Sequence, residues 1–210
     1  MRFDRCKKLF SDDFVKLQNA KVLVLGVGGV GGMVVDCLAR SGVGEIVIMD
    51  NDSFDITNQN RQLYSEEVGE SKVEVFSKRY KNITAIHAKV TKEWVESFDF
   101  EPYKVVVDAI DDIPAKVEVA KRCHDKLIGS MGSAKRIDPS KIVVKDIWKT
   151  FGDRLAKKFR YELKKSGFSG NFDVVFSIEE PRCKEMGSFM GVTGSFGLRI
   201  CSLVVERILS

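Results

Sequence analysis

The sequence predicts an α/β domain of Rossmann type: a mostly parallel central sheet, helices on both faces and an antiparallel C-terminal extension. Three observations carry this. Short apolar runs alternate with stretches whose apolar residues recur at helical spacing, the pattern of strands joined by crossover helices. The run 104–110 (KVVVDAI) is apolar apart from Lys104 and Asp108, as expected of a strand buried on both faces. Between one apolar run and one helical pattern stands the turn Gly26-x-Gly28-x-x-Gly31.

Taken in order, the chain opens with a basic terminus in which Arg2 and Arg5 have no intrachain partner that the sequence can name. Ser11, followed by Asp12 and Asp13, reads as a helix cap, with Phe14 and Leu17 as a short apolar stripe. Residues 22–25 form the first strand. The glycine turn follows, within the stretch GVGGVGG that also contains Gly29, and then a helix with Val30, Val34, Cys37 and Leu38 on its apolar face. A second strand, 46–49, ends at Asp50. In such a unit the glycines give a tight turn, close approach of backbone to phosphate and close packing of helix on strand. The helix start offers free N–H groups to an anion, and Asp50 can accept hydrogen bonds from ribose hydroxyls. The unit indicates a nucleotide without saying which.

Residues 51–64 are polar and read as a loop leaving the carboxyl end of the second strand, beside the nucleotide crevice. Asn58, Arg61 and Gln62 are donors there, and the planar fork of Arg61 can grip phosphate oxygens. A helix from Gly69 carries Val73, Phe76 and Tyr80 as its stripe. Lys72 falls in its first turn, where a cation opposes the helix dipole; it is either a surface lysine or one held there to meet a phosphate. Residues 83–88 form a third strand and 92–98 a short helix. The strand 104–110 runs into Asp111 and Asp112; carboxylates at that end suit Mg2+, which takes one or two together with nucleotide phosphates. Asp112, just before Pro114, also reads as the cap of a helix through Cys123, which leaves Asp111 for the metal. Strands at 127–131 and 142–144, a turn at Asp138-Pro139-Ser140, a helix from about Gly152, a strand at 172–177, a mobile loop over 178–191 and a last amphipathic helix complete the chain.

The sequence shows no repeat, linker or low-complexity tract, so residues 1–210 are expected to form one domain. The net charge of +4 is mild, but residues 145–165 hold eight basic and three acidic side chains around the stripe Leu155, Phe159 and Leu163. That face is either solvated or a nucleic-acid patch. Five scattered cysteines without a C-x-x-C pair argue against a zinc site and a disulfide framework. No apolar run approaches the roughly 20 residues of a membrane span, and the first residues lack a signal-peptide core. A soluble, cytoplasmic chain is the expectation.

The glycine turn alone is shared with NAD-binding dehydrogenases. GVGGVGG followed by Asp50-x-Asp52, Asn58-Gln-Asn-Arg61-Gln62, Lys72 and Asp111 resembles the ThiF/MoeB/HesA superfamily of adenylating enzymes, as does the opening Arg2-Phe3-Asp4-Arg5. Within it, IDPSKI, V-x-D-I-x-K-T, D-x-LA-x-K, VVFS and Val192-Thr193-x-Ser195-Phe196-Gly197 are similar to the tRNA threonylcarbamoyladenosine dehydratase branch. The chain is shorter than that branch between Ser177 and Val192, and Cys183 is only an approximate match there.

The resemblance implies ATP and Mg2+ as cofactors, with tRNA bearing threonylcarbamoyladenosine as the substrate. The reaction would be a cyclisation through an acyl adenylate. By the same resemblance Gly26, Gly28, Gly29, Gly31, Asp50, Asp52 and Asn58 would surround the nucleotide, with Asp50 on the ribose. Arg61 and Lys72 would take the phosphates, Asp111 the metal, and Arg5 would arrive from the partner in a two-fold homodimer. It leaves room for a sulfur-trafficking protein partner. Two other readings stay open: an adenylyltransferase acting on the C-terminus of a ubiquitin-like sulfur carrier, and an NAD-binding Rossmann module.

Overall fold

In the computed structural model, which describes residues 2–210, two short helices, α1 (Asp4–Phe10) and α2 (Phe14–Asn19), lead into β1 (Lys21–Leu25). The glycine turn, α3 (Gly29–Ser41) and β2 (Glu45–Asp50) complete the first unit. A polar excursion then precedes α4 (Lys72–Arg79), β3 (Ile83–His87), α5 (Lys92–Ser97) and β4 (Val105–Asp108). After these come α6 (Ile113–Cys123), β5 (Leu127–Ser130), β6 (Ile142–Asp146), α7 (Arg154–Lys165), β7 (Asp173–Ser177) and α8 (Met190–Leu209).

The strands form one sheet in the order β3-β2-β1-β4-β5-β7-β6. Every pairing is parallel except that of β6 with β7, the antiparallel extension the sequence predicts. From β1 the chain builds outward on one side through β2 and β3, then returns to lay β4 and β5 on the other. A switch point therefore opens between the carboxyl ends of β1 and β4, where ligands bind in open α/β sheets.

Pleating divides the core. Val22, Val24, Ile46, Ile48, Val105 and Val107 face Leu17, Val34, Leu38, Phe76, Phe196 and Val204 on one side. Leu23, Leu25, Val47, Met49 and Val106 face Val95, Val119, Cys123, Phe159 and Leu163 on the other. Because side chains alternate with a period of two, a one-residue slip in any strand would exchange these sets, so the two apolar layers lock the register. Among the described residues no helix is long and apolar enough to cross a membrane.

Several local expectations are corrected. Ser11 does not cap a helix start; it terminates α1 at a positive φ (49°), and its side chain makes no cap hydrogen bond. The expected stripe of Phe14 and Leu17 is buried, but it belongs to α2; α1 has no fully buried residue, only Cys6 and Phe10 partly buried against the core. Arg2 is not without a partner: its guanidinium donates to Ala39 O (3.3 Å) and lies over the rings of Phe3 and Tyr80. The helix expected from Gly69 begins at Lys72, and that expected from Gly152 begins at Arg154 behind the Asp153 cap. Gly69 and Gly152 both take positive φ, which suits the turns before these helices but not their first residues. The segment 178–191 has no regular structure up to α8 but is tied to residues 135–138, with Glu179 Oε2 accepting the N–H of Ile137 (3.0 Å) and Asp138 (2.8 Å).

Candidate active site

Leu25 stands level with Met49 on one side and Asp108 on the other, so β1, β2 and β4 end together. Beyond those ends lies a cavity of about 500 Å3, a size that suits a nucleotide. Gly26, Gly28, Asp50, Asp52, Asn58, Arg61, Lys72 and Asp111, separated by up to 85 residues in sequence, all line it.

The turn is built by close backbone approach. Gly26 donates its N–H to Met49 O (2.8 Å) and adopts φ +85°; a Cβ there would also meet Ala109 O at 2.8 Å. Gly31 stands behind the cavity, where a Cβ would fall 1.9 Å from Gly26 O, so its bare backbone is what lets α3 start against the turn. Gly29 likewise packs behind it, its Cα facing Arg61 O and Thr193. Asp50 fixes the loop from below: Oδ2 accepts the N–H of Val27 and Oδ1 that of Asp52, both at 2.8 Å.

Lys72 arrives from a distant stretch. Ser53 and Ser71 form an antiparallel bridge, and Phe54 N–H donates to Glu70 O (2.9 Å), which lays the start of α4 beside the end of β2. Lys72 is the first residue of that helix, and its ammonium lies 3.0 Å from Asp52 Oδ2 with the side chain only 6% exposed. A buried cation against a helix N-terminus is an unfavourable placement that Asp52 partly offsets and an incoming anion would relieve. Arg61 donates from Nη1 to Thr57 O and Asn60 Oδ1, both 2.9 Å, and so keeps Nη2 for a ligand. Asn58 accepts the Asp55 N–H on Oδ1 (3.2 Å), closing the turn that presents Arg61.

At the other rim Asp112 caps α6 by accepting Ala115 N–H (2.9 Å), while Asp111 is exposed and unused by the cap. Beneath them a buried ion pair joins Asp108 Oδ2 to Lys116 Nζ at 2.8 Å. Lys116 also donates to Ile110 O and Ser130 O, both 3.1 Å, which pins the loop carrying Asp111 to β5. Burial pushes the Asp108 carboxyl up, and the Lys116 ammonium opposes that. Among the described residues no three His, Cys, Asp or Glu side chains gather as a metal cluster. A cation here would therefore rest on one or two carboxylates plus phosphate oxygens.

Arg5 lies exposed on α1 and does not line this cavity. Gln62, named from the sequence as a donor, lines the cavity with a buried amide oxygen that has no protein partner. Two polar contributors stand outside the residues named from sequence. Asn51 follows β2 directly and Lys89 stands two residues past β3; their places at strand carboxyl ends were the available signal.

A switch-point cavity walled by a glycine turn, three cations and four carboxylates is the kind of site at which doubly wound α/β proteins bind nucleotides. The chain belongs to the ThiF family, whose model matches residues 5–149. It is 41% identical over 176 residues to a tRNA threonylcarbamoyladenosine dehydratase of Bacillus subtilis (strain 168), covering 79% of this chain and 69% of that protein. To the tRNA threonylcarbamoyladenosine dehydratase of Haemophilus influenzae it is 32% identical, with 99% and 93% covered. The solved structure of the Escherichia coli tRNA N6-threonylcarbamoyladenosine dehydratase in complex with ATP superposes with a TM-score of 0.92 at 31% identity, covering 99% of this chain and 93% of that one.

Proposed function

We propose that this chain is an ATP-dependent dehydratase that cyclises threonylcarbamoyladenosine next to the tRNA anticodon through an acyl adenylate. The observation that carries the reading is the convergence of buried Lys72, Arg61 and Asp111 on the glycine-turn cavity. A redox module binding NAD has no need of two cations and a free carboxylate around its phosphates. The relatives named above support the same conclusion.

A carboxylate is a poor acyl donor because its oxygen is a poor leaving group. Attack of one threonyl carboxylate oxygen on the α-phosphorus forms the acyl adenylate and expels pyrophosphate. The carbamoyl nitrogen then attacks the acyl carbon, AMP leaves with that oxygen, and the nitrogen loses its proton. The nucleoside has lost one water and gained a ring. Lys72 and Arg61 oppose the charge that builds on the phosphates during in-line attack, where fixed cations act most strongly. Asp50 and the unpartnered Gln62 Oε1 are acceptors for nucleotide hydroxyls. The exposed Asp111 carboxylate fits Mg2+, which would be held there with phosphate oxygens and would supply further charge neutralisation. In a two-fold homodimer Arg5 of one subunit would serve the other's site. A cytoplasmic location accords with a tRNA substrate.

Pyrophosphate exchange tests the first half-reaction. Labelled pyrophosphate is expected to enter ATP only when tRNA bearing the modified nucleoside is present. Exchange driven instead by the C-terminal peptide of a ubiquitin-like carrier would overturn the reading.

A further inference from the structure

The site described above leaves a second cavity, of about 550 Å3, without a role. It lies between residues 132–136, the start of α7 and residues 180–186. A depression joins it to the nucleotide cavity, sharing Arg61 with the latter and Ala134 and Met186 with the former.

The frame of this cavity is rigidly made. Lys135 holds a left-handed conformation (φ 68°), uncommon for a residue with a side chain. It is pinned by its N–H to Gly187 O and by Arg182 N–H to its own carbonyl, both 2.9 Å, and its ammonium donates to Lys184 O at 2.5 Å. Arg136, buried, donates to Gly132 O (2.6 Å) and Glu179 O (3.0 Å) and faces Asp153 Oδ2 at 3.3 Å. Asp153 in turn caps α7 through Ala156 N–H (2.8 Å). Arg136 and Asp153 are thus consumed in holding the walls.

The remaining lining is cationic and apolar apart from exposed Glu180: exposed Arg154, Arg182 and Lys184 surround Leu155 and Met186. Arg154 also begins a stripe. Lys157, Lys158, Tyr161 and Lys165 follow it at helical spacing, all exposed, along a helix of 12 residues or about 18 Å. Their spacing places them on one face that starts at the cavity mouth.

We propose that this cavity and the α7 stripe are a single-stranded RNA track. One base sits against Leu155 and Met186, its flanking phosphates meet Arg154, Arg182 and Lys184, and the strand continues along α7 past Tyr161. Cations spaced along a surface match a polyphosphate backbone, and an apolar wall between them matches a base face. The C-terminal tail of a carrier protein brings one carboxylate and leaves the rest of the stripe unpaired. The inference rests on the dehydratase reading and places a neighbour of the reacting nucleoside in the cavity, with the threonyl group reaching the nucleotide past Arg61.

The test is the double variant Arg154→Gln with Lys184→Gln, both exposed positions, in the full chain. Its binding to an anticodon stem-loop bearing threonylcarbamoyladenosine is followed by fluorescence anisotropy across a salt series. Affinity is expected to fall at least about tenfold and the log–log salt slope to flatten by about 1.4, the effect of two lost single-strand phosphate contacts. ATP affinity and melting temperature serve as fold controls; the uncharged Met186→Ser provides a second variant, which should weaken RNA binding without flattening the slope. Lys81→Glu, at the amino end of the opposite edge strand, should leave RNA binding unchanged. If the unsubstituted chain binds and converts the RNA while the double variant shows the same affinity and slope, the track is wrong and the dehydratase reading stands. If the unsubstituted chain converts no modified RNA but the double variant loses carrier-peptide exchange, the cavity takes a protein tail, and both are overturned.

Discussion

Replacing Lys72 by alanine separates catalysis from stability. The ammonium is held 3.0 Å from an Asp52 carboxylate that is itself 60% exposed, so the lost ion pair is worth at most about 1 kcal/mol. Removing a cation from the first turn of α4 returns about 0.3–1 kcal/mol of helix-dipole repulsion. The two changes nearly cancel, which leaves the roughly 1–2 kcal/mol of packing lost with the buried aliphatic stem, and the melting temperature should fall by no more than about 6 °C for a chain of 210 residues. The reaction has no such compensation. Loss of one fixed cation at developing phosphate charge costs roughly 100- to 1000-fold in kcat, about 2.7–4 kcal/mol. The assay is turnover of modified tRNA by mass spectrometry, alongside circular dichroism melting of the same sample. Undiminished turnover would remove Lys72 from the phosphates. A melting temperature that falls in step with activity would show that the residue supports the fold instead.

Other consequences follow from the same geometry. Gly31→Ala would place a methyl 1.9 Å from Gly26 O, and the displaced turn should cost about 3 kcal/mol or more, read as a drop of roughly 10 °C in melting temperature. At Asp36 burial pushes the carboxyl up, but donation from Arg40 (2.6 Å), Tyr80 and Tyr64 (2.7 Å) more than offsets this and holds it below the usual range. Its contribution is therefore complete above the unfolded value near about 4 and is lost as pH falls through the folded value. Asp36→Asn should cost about 1–3 kcal/mol in urea unfolding at pH 7, and the difference should shrink below pH ~4. Burial pushes the Cys123 thiol up to about 12, whereas Cys183 is exposed. Under native conditions at pH 8, iodoacetamide should label Cys183 within minutes and reach Cys123 only on unfolding, as peptide mapping would record.

The glycine unit was legible because its determinants are local: apolar runs of strand length, a turn of glycines and a carboxylate at the next strand's end. Most of the nucleotide cavity was legible for a related reason, since its residues other than Lys72, at the start of α4, leave the carboxyl end of a strand or the loop beyond one. By contrast, α1 buries no residue fully and packs only Cys6 and Phe10 partly against the core, too weak a stripe to detect, and Ser11-Asp12-Asp13 imitates a cap while ending that helix. The pairs Asp108–Lys116 and Arg136–Asp153 join residues 8 and 17 apart across packed elements. Only the folded chain shows that these charges are spent internally and that Arg154 and Lys184 are not. Gln62 reads as one amide among several until its burial leaves an oxygen without a protein partner.

The acyl-adenylate route is tested most directly by one measurement. The protein is incubated with ATP, Mg2+ and tRNA carrying threonylcarbamoyladenosine, and the nucleoside and adenine nucleotides are quantified together by mass spectrometry. The account predicts loss of one water from the nucleoside with one AMP formed per ring closed. An unchanged nucleoside, with the substrate confirmed present, or water loss accompanied by ADP in place of AMP, would contradict it.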